Sequence, residues 1–374
     1  MGDYRDQIDQ LLSEAGTLPP GAAKLALVER AVQLADSHCD MSQGFRTRVE
    51  LCGEALDAGR PDLLTTAFSW CLGQSDREPE KFPDLELLWM YRWVNDEISG
   101  FSSVSLEQIN ALMADMEWRY RKIGSTMRGY EYLRRNVAMN CGNRPLADEA
   151  DCAIAICRRD WLSDSEAAER CFDVRYLIFA KKYEEAIRTA EPLLARRDTD
   201  AHHRGAVLAR LMIPLLRLGR VEEAIKYHVQ GYRLVARNPR YVARFANHIS
   251  LLALTGNFAR ALALFERHLP DALESVDDDS HFSFFRACRL LMEELASRGR
   301  DSLRLRLPAV FPAFREDGRY ESAALRDWFV TKAGEIAARF DTRNGNSHYT
   351  AELAATASSP WTDRKAAFTT LIML

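Results

Sequence analysis

The stretch Leu215–Pro239, "LLRLGRVEEAIKYHVQGYRLVARNP", holds a glycine between two apolar, helix-like runs and closes on Asn238-Pro239. Val221, Ala224, Ile225 and Tyr232 stand at i, i+3, i+4 and i+11, with His228 the polar member at i+7. That spacing draws one stripe along a helix of about 3.6 residues per turn. Glu222 and Lys226, four apart, fall on the opposite, wet face. Gly219 lies two residues before the stripe, where glycine takes the left-handed conformation that ends a helix without a Cβ clash. The stretch reads as the elbow and second helix of a helical hairpin.

The pattern recurs on both sides. Tyr183, Ala186, Ile187, Ala190 and Leu194 repeat the stripe upstream, and Phe258, Ala261, Leu262, Phe265 and Leu269 repeat it downstream. Ala186 to Ala224 is 38 residues and Ala224 to Ala261 is 37. A period of this size predicts stacked helix pairs, because one pair cannot bury its own stripe. Gly256 occupies the elbow of the third unit, and Lys181 stands where the first unit would carry its glycine. Weaker echoes extend the pattern: "ELCGEALDAGRPDLLTTAFSWCL" turns at Gly59 with Pro61 at a helix start, and helical runs are expected around turns at Gly299 and Gly318. Ser105 with Gln108 and Ser163 with Glu166 read as capping boxes. Strand-like segments are nearly absent from this reading.

"LGRVEEAIKYH" and "TGNFARALALFERHLP" resemble tetratricopeptide repeats, in which Gly-x-aromatic opens the second helix and Ala follows three residues later. The resemblance is specific over residues 163–270 and is carried furthest by Phe245, Gly256, Phe258, Ala261 and Phe265. The family's period is about 34 residues, so these units run slightly long. The resemblance implies an all-α, right-handed superhelical α-solenoid of stacked helical hairpins. It divides the chain into N-terminal hairpins over 1–73, a middle helical segment over 84–160, the repeats over 163–340, and a tail or capping helix over 341–374. The apolar end of "SSPWTDRKAAFTTLIML" is expected to cap the last helices or dock elsewhere.

In such arrays the first helix of each pair lines a concave groove. Laid on this sequence, the resemblance points to Cys171, Phe172, Arg175 and Phe179, to Arg210, Ile213 and Arg217, and to Asn247, Ser250 and Leu254. Family members that grip a terminal carboxylate would carry a lysine at Ala243 and an arginine at Asn247, so the full clamp is missing. Arg175 and Arg210 remain as cations suited to bidentate recognition of an acidic peptide. The plainer alternative is that they pair with neighbours such as Asp173 or Glu169.

Composition limits the other classes. The 374 residues are 47% apolar and 28% charged, with net charge −4, which fits a folded chain and gives no global basic field for nucleic acid. The eight cysteines lie mostly in apolar helical patterns without CxxC or CxxxC spacing, and read as reduced, buried thiols. Neither a secretory start nor a bilayer-length apolar run is evident, so a cytoplasmic protein without a membrane partner is expected. His228, His248 and His268, twenty apart, offer no HxxxH pair, and His228 and His248 are expected to fill slots between repeats with a ring nitrogen hydrogen-bonded. No nucleophile elbow, phosphate loop or dinucleotide fingerprint occurs. "WRYRKIGSTMRGYEYLRR", Trp118–Arg135, interleaves cations with aromatics as single-stranded nucleic-acid binders do, although helical aromatics usually pack. The reading is a non-catalytic adaptor without cofactor that binds a protein or peptide. A ligand-gated regulator and a hydrolase or transferase with a composite site are the rivals.

Overall fold

The computed structural model describes residues 3–19, 21–83, 85–196 and 199–355. Among them the chain is all-α, built from consecutive helices that pack against their neighbours, with one short ribbon. It gathers into two compact units, Met1–Leu133 with Cys157–Leu162, and Arg134–Ile156 with Ser163–Leu374.

The first unit contains α1 (Tyr4–Thr17), α2 (Ala22–Ser37), α3 (Met41–Asp57), α4 (Pro61–Arg77), α5 (Leu85–Ile98) and α6 (Leu106–Lys122). Helix α7 (Arg128–Asn140) starts there and ends in the second unit. Pro61 occupies the first turn of α4, where its missing N–H costs nothing. Ser105 and Gln108 form the capping box expected at α6. The second unit continues with α8 (Arg144–Ile156), α9 (Glu166–Phe179), α10 (Tyr183–Ala195), α11 (Ala201–Arg217), α12 (Val221–Val235), α13 (Val242–Leu254), α14 (Phe258–Glu274) and α15 (Asp278–Ser297). Helix α9 is capped by Ser165, whose side chain accepts from the Ala168 N–H. The box expected from Ser163 and Glu166 does not form: the cap lies two residues later, and Ala168 at the third helical position has no side chain to reach back.

One device ends helix after helix. At Gly59, Gly219, Gly256 and Gly299, φ is 64°, 76°, 74° and 68°. In each case the N–H of the next residue reaches a carbonyl five positions back, as Arg220 N–H reaches Leu215 O at 2.9 Å and Asn257 N–H reaches Leu252 O at 2.8 Å. Lys181 makes the same turn with φ 60°, and Lys182 N–H reaches Leu177 O at 2.8 Å. The stripes then bury as their spacing requires: Ala186, Ile187 and Ala190 on α10, Ala224 and Ile225 on α12, and Ala261, Phe265 and Leu269 on α14.

The run after Gly299 departs from the helical expectation. Ser302–Arg304 (β1) pairs antiparallel with Arg319–Glu321 (β2), Leu303 standing opposite Tyr320. The alternation "SLRLRLP" explains it, because Leu303, Leu305 and Leu307 are buried while Arg304 and Arg306 face out. The loop between the strands adds Phe311, whose ring lies 4.8 Å from Trp328 of α16 (Ser322–Asn344). Phe329 of α16 meets Phe265 of α14 edge to face at 5.7 Å. This aromatic layer covers the last hairpin.

The chain then returns to the beginning of its second unit. Helix α17 (His348–Ala355) places Tyr349 against Phe340 at 4.3 Å and sends its hydroxyl to Asn140 O at 3.0 Å. Asn346 Nδ2 donates to Cys141 O at 2.7 Å. Gly142, with φ 67°, has no room for a Cβ beside His348. The segment 341–355 thus docks on the α7–α8 elbow, while the rest of the expected tail, 356–374, lies outside the described residues.

Candidate functional site

Helices α9, α11 and α13 are the first helices of three successive hairpins, and α11 packs against both others. From Gly205 to Leu216, α11 is buried everywhere except Arg210 and Ile213, and Arg217 follows as an exposed residue. Spaced at i, i+3 and i+7, these three share one face of the helix. On α13 the positions that stay open are Ala243, Arg244, Asn247, Ser250 and Leu254, again a single stripe. Both helices are interior ones with one open edge each.

The sequence-derived residues divide into two groups. Arg210, Ile213 and Arg217 stand on the α11 stripe, and Asn247 and Ser250 stand on the α13 stripe. Arg217 donates to the Tyr183 hydroxyl at 2.6 Å and lies over that ring. Asn247 Nδ2 donates to Ala243 O at 3.2 Å within its own helix. On α9 Phe172 is half-buried, whereas Cys171 is buried, its thiol reaching His203 O at 3.6 Å. Arg175 donates to Asn140 Oδ1, and Phe179 faces the His348 ring at 5.8 Å. The α9 end of the wall is therefore met by the chain's own C-terminal segment, and the open stretch runs along α11 and α13. Asp173, one of the neighbours that the sequence offers to Arg175, accepts from Arg135 at 2.8 Å.

At the N-terminal ends of α11 and α13, cations gather that the sequence reading passed over. Arg244 lies over the Tyr241 ring at 3.8 Å and donates to His202 O at 3.3 Å. Its other amino group stands 3.3 Å from His202 Nε2, and His202 Nδ1 lies 2.9 Å from the Tyr241 hydroxyl. Burial, followed by the charges of Arg244, His203 and Arg210, holds the His202 ring down to about 4. The Cys171 thiol is pushed up to about 11 by burial, with Arg210 and Arg244 pulling the other way, so it is no activated nucleophile. Asp200, the nearby carboxylate, caps α11 and bonds His203. A sequence signal for Arg244 was present: Tyr241 and Arg244 are i,i+3 partners beside Ala243, where the family pattern expects a cation.

Most of the other sequence candidates are drawn into packing or ion pairs. Within Trp118–Arg135, Tyr120, Tyr130 and Tyr132 are buried. Arg119 bonds Asp76 and Asp115, Arg121 bonds Glu117, and Arg135 bonds Asp151 and Asp173. Trp118 stays exposed, with Lys122 over its ring at 4.9 Å. His228 and His248 meet Nδ1 to Nδ1 at 3.0 Å between α12 and α13, while His268 is held by the Tyr232 hydroxyl and Asp271. The first two fill the slots between repeats expected of them. Among the described residues no group of three or more His, Cys, Asp and Glu side chains is placed to hold a metal ion. No helix there is long and apolar enough to cross a membrane.

No protein-family model matches the chain, and no curated protein matches it.

Proposed function

We propose that this protein is a non-catalytic adaptor that receives an acidic segment of a partner protein along the stripe faces of α11 and α13. The observation that carries the reading is the burial pattern: two interior helices are closed on every side but one, and the open sides bear Arg210, Ile213, Arg217, Asn247 and Ser250. Interior helices of a repeat array normally bury everything that stacking can cover, so a continuous open stripe is surface left for a guest. Ile213 and Leu254 offer apolar contact, and the arginines offer forked donors for carboxylates. The resemblance to tetratricopeptide repeats supports the same use of the first helices, and as a family argument it speaks for recognition in general.

The test is site-specific photocrosslinking in the cells that make the protein. A photoreactive residue at Ser250 gives a discrete adduct that disappears with the Arg210→Glu, Arg217→Glu double variant, while one at Glu222 on the outer face gives none. Equal labelling from both positions, or an adduct insensitive to the double variant, rejects the stripe as the binding face.

A further inference from the structure

We infer that Arg244, Tyr241 and His202 form a pocket for one carboxylate of the guest, at the N-terminal end of the stripe proposed above. The inference rests on that reading of the groove and adds the chemistry of its anchor. Arg244 is half-buried, and among the described residues it forms no ion pair; its bonds go to the His202 carbonyl and ring. A guanidinium withdrawn from water and bonded only to neutral acceptors lacks the partner that such groups ordinarily have. Of the groups in electrostatic reach of it, the buried Cys171 thiol is pushed up and keeps its proton, and Asp200 is turned to His203 and the α11 terminus. Arg210 adds positive potential from the α11 stripe, as its effects on His202 and Cys171 register.

The donors are also arranged for one planar anion. One tautomer satisfies the Tyr241 contact and the shorter of the two Arg244 contacts of the His202 ring: Nδ1–H donates to the Tyr241 oxygen, and Nε2 accepts from Arg244. This leaves the hydroxyl hydrogen of Tyr241 free to donate beside the guanidinium that lies over its ring. The bond of Arg244 to the ring, at Nε2, is long, 3.3 Å, and a carboxylate would replace it with shorter charge-assisted bonds. Both helix N-termini point their positive ends to the same region. His202 is exposed, so the pocket opens to the solvent.

The experiment is isothermal titration of the full chain with a hexaglutamate peptide, its C-terminally amidated form, and inorganic phosphate. Hexaglutamate binds, and Arg244→Gln weakens it about tenfold or more, while Arg244→Lys recovers part of the loss. Tyr241→Phe weakens it by a smaller factor. Amidation with binding intact assigns the pocket to side-chain carboxylates, and loss on amidation assigns it to a chain terminus; either outcome supports the inference. Binding of phosphate without the peptides, or of neither, overturns it. Peptide binding that ignores Arg244→Gln but falls with Arg217→Gln also overturns the pocket, and leaves the groove standing. Melting curves of each variant, recorded without ligand, separate loss of binding from loss of fold.

Discussion

Replacing Lys181 by glycine should stabilise the protein, and replacing Gly256 by alanine should destabilise it by a similar amount. Both residues occupy the left-handed turn that closes a first helix, with φ 60° and 74°. The two turns keep the same backbone bonds, Lys182 N–H to Leu177 O and Asn257 N–H to Leu252 O, each at 2.8 Å. Lys181 is exposed, and among the described residues its side chain makes no ion pair or hydrogen bond, so its removal forfeits little packing. Relief of the Cβ clash is worth about 1–2 kcal/mol. The additional freedom of glycine in the unfolded chain offsets about 0.5–1 kcal/mol of it. The net expectation for Lys181→Gly is a gain of about 0.5–1 kcal/mol. At Gly256 a Cβ would meet nothing within 4 Å, so Gly256→Ala isolates the same conformational effect with the opposite sign. Urea unfolding followed by circular dichroism measures both through the midpoint at unchanged slope. In melting curves the corresponding shifts are roughly 1–4 °C upward and downward. A Lys181→Gly variant that is less stable than the parent, or a neutral Gly256→Ala, refutes the account of the elbows.

Arg135 is only 1% exposed and holds Asp151 at 2.6 Å and Asp173 at 2.8 Å while lying over Tyr176, so Arg135→Ala should cost about 2–4 kcal/mol, discounted for the partly exposed carboxylates. Unfolding of that variant within about 0.5 kcal/mol of the parent would contradict the assignment. The His228–His248 pair sets a pH dependence. Burial lowers His228 to about 4 and takes His248 well below its ordinary value, Arg260 and the neighbouring His268 adding to the effect. Both stay neutral in the fold while the unfolded chain takes up protons from about pH 6.5 downward. Their contribution is therefore full above about pH 6.5 and is lost as the pH falls toward 4, at up to about 1.4 kcal/mol per pH unit for each ring. Denaturant titrations at successive pH values measure the slope, which should fall by about one proton in His228→Gln; an unchanged slope would remove the pair from the cause.

Much of the architecture is decided by short-range pattern. The stripes at Ala186, Ala224 and Ala261, the elbows at Gly219 and Gly256, and the box at Ser105 depend on residues within a turn or two, so the sequence alone determines them. Even the ribbon was legible there, in the alternation of Leu303, Leu305 and Leu307 with arginines, although the surrounding helices masked it. The positions left open on α11 and α13 follow from the same periodicity.

What only the tertiary structure decides is who meets whom across long separations. Tyr349 reaches Asn140, Asn346 reaches Cys141 and His348 meets Phe179, so that α17 and the turn before it close on α7 and α9. Arg135 captures Asp173, and Arg244 is left with His202 and Tyr241 in place of a carboxylate. Helix-forming and turn-forming preferences act locally and add along the chain, whereas a charge finds or misses its counterion according to how every hairpin between the two has stacked.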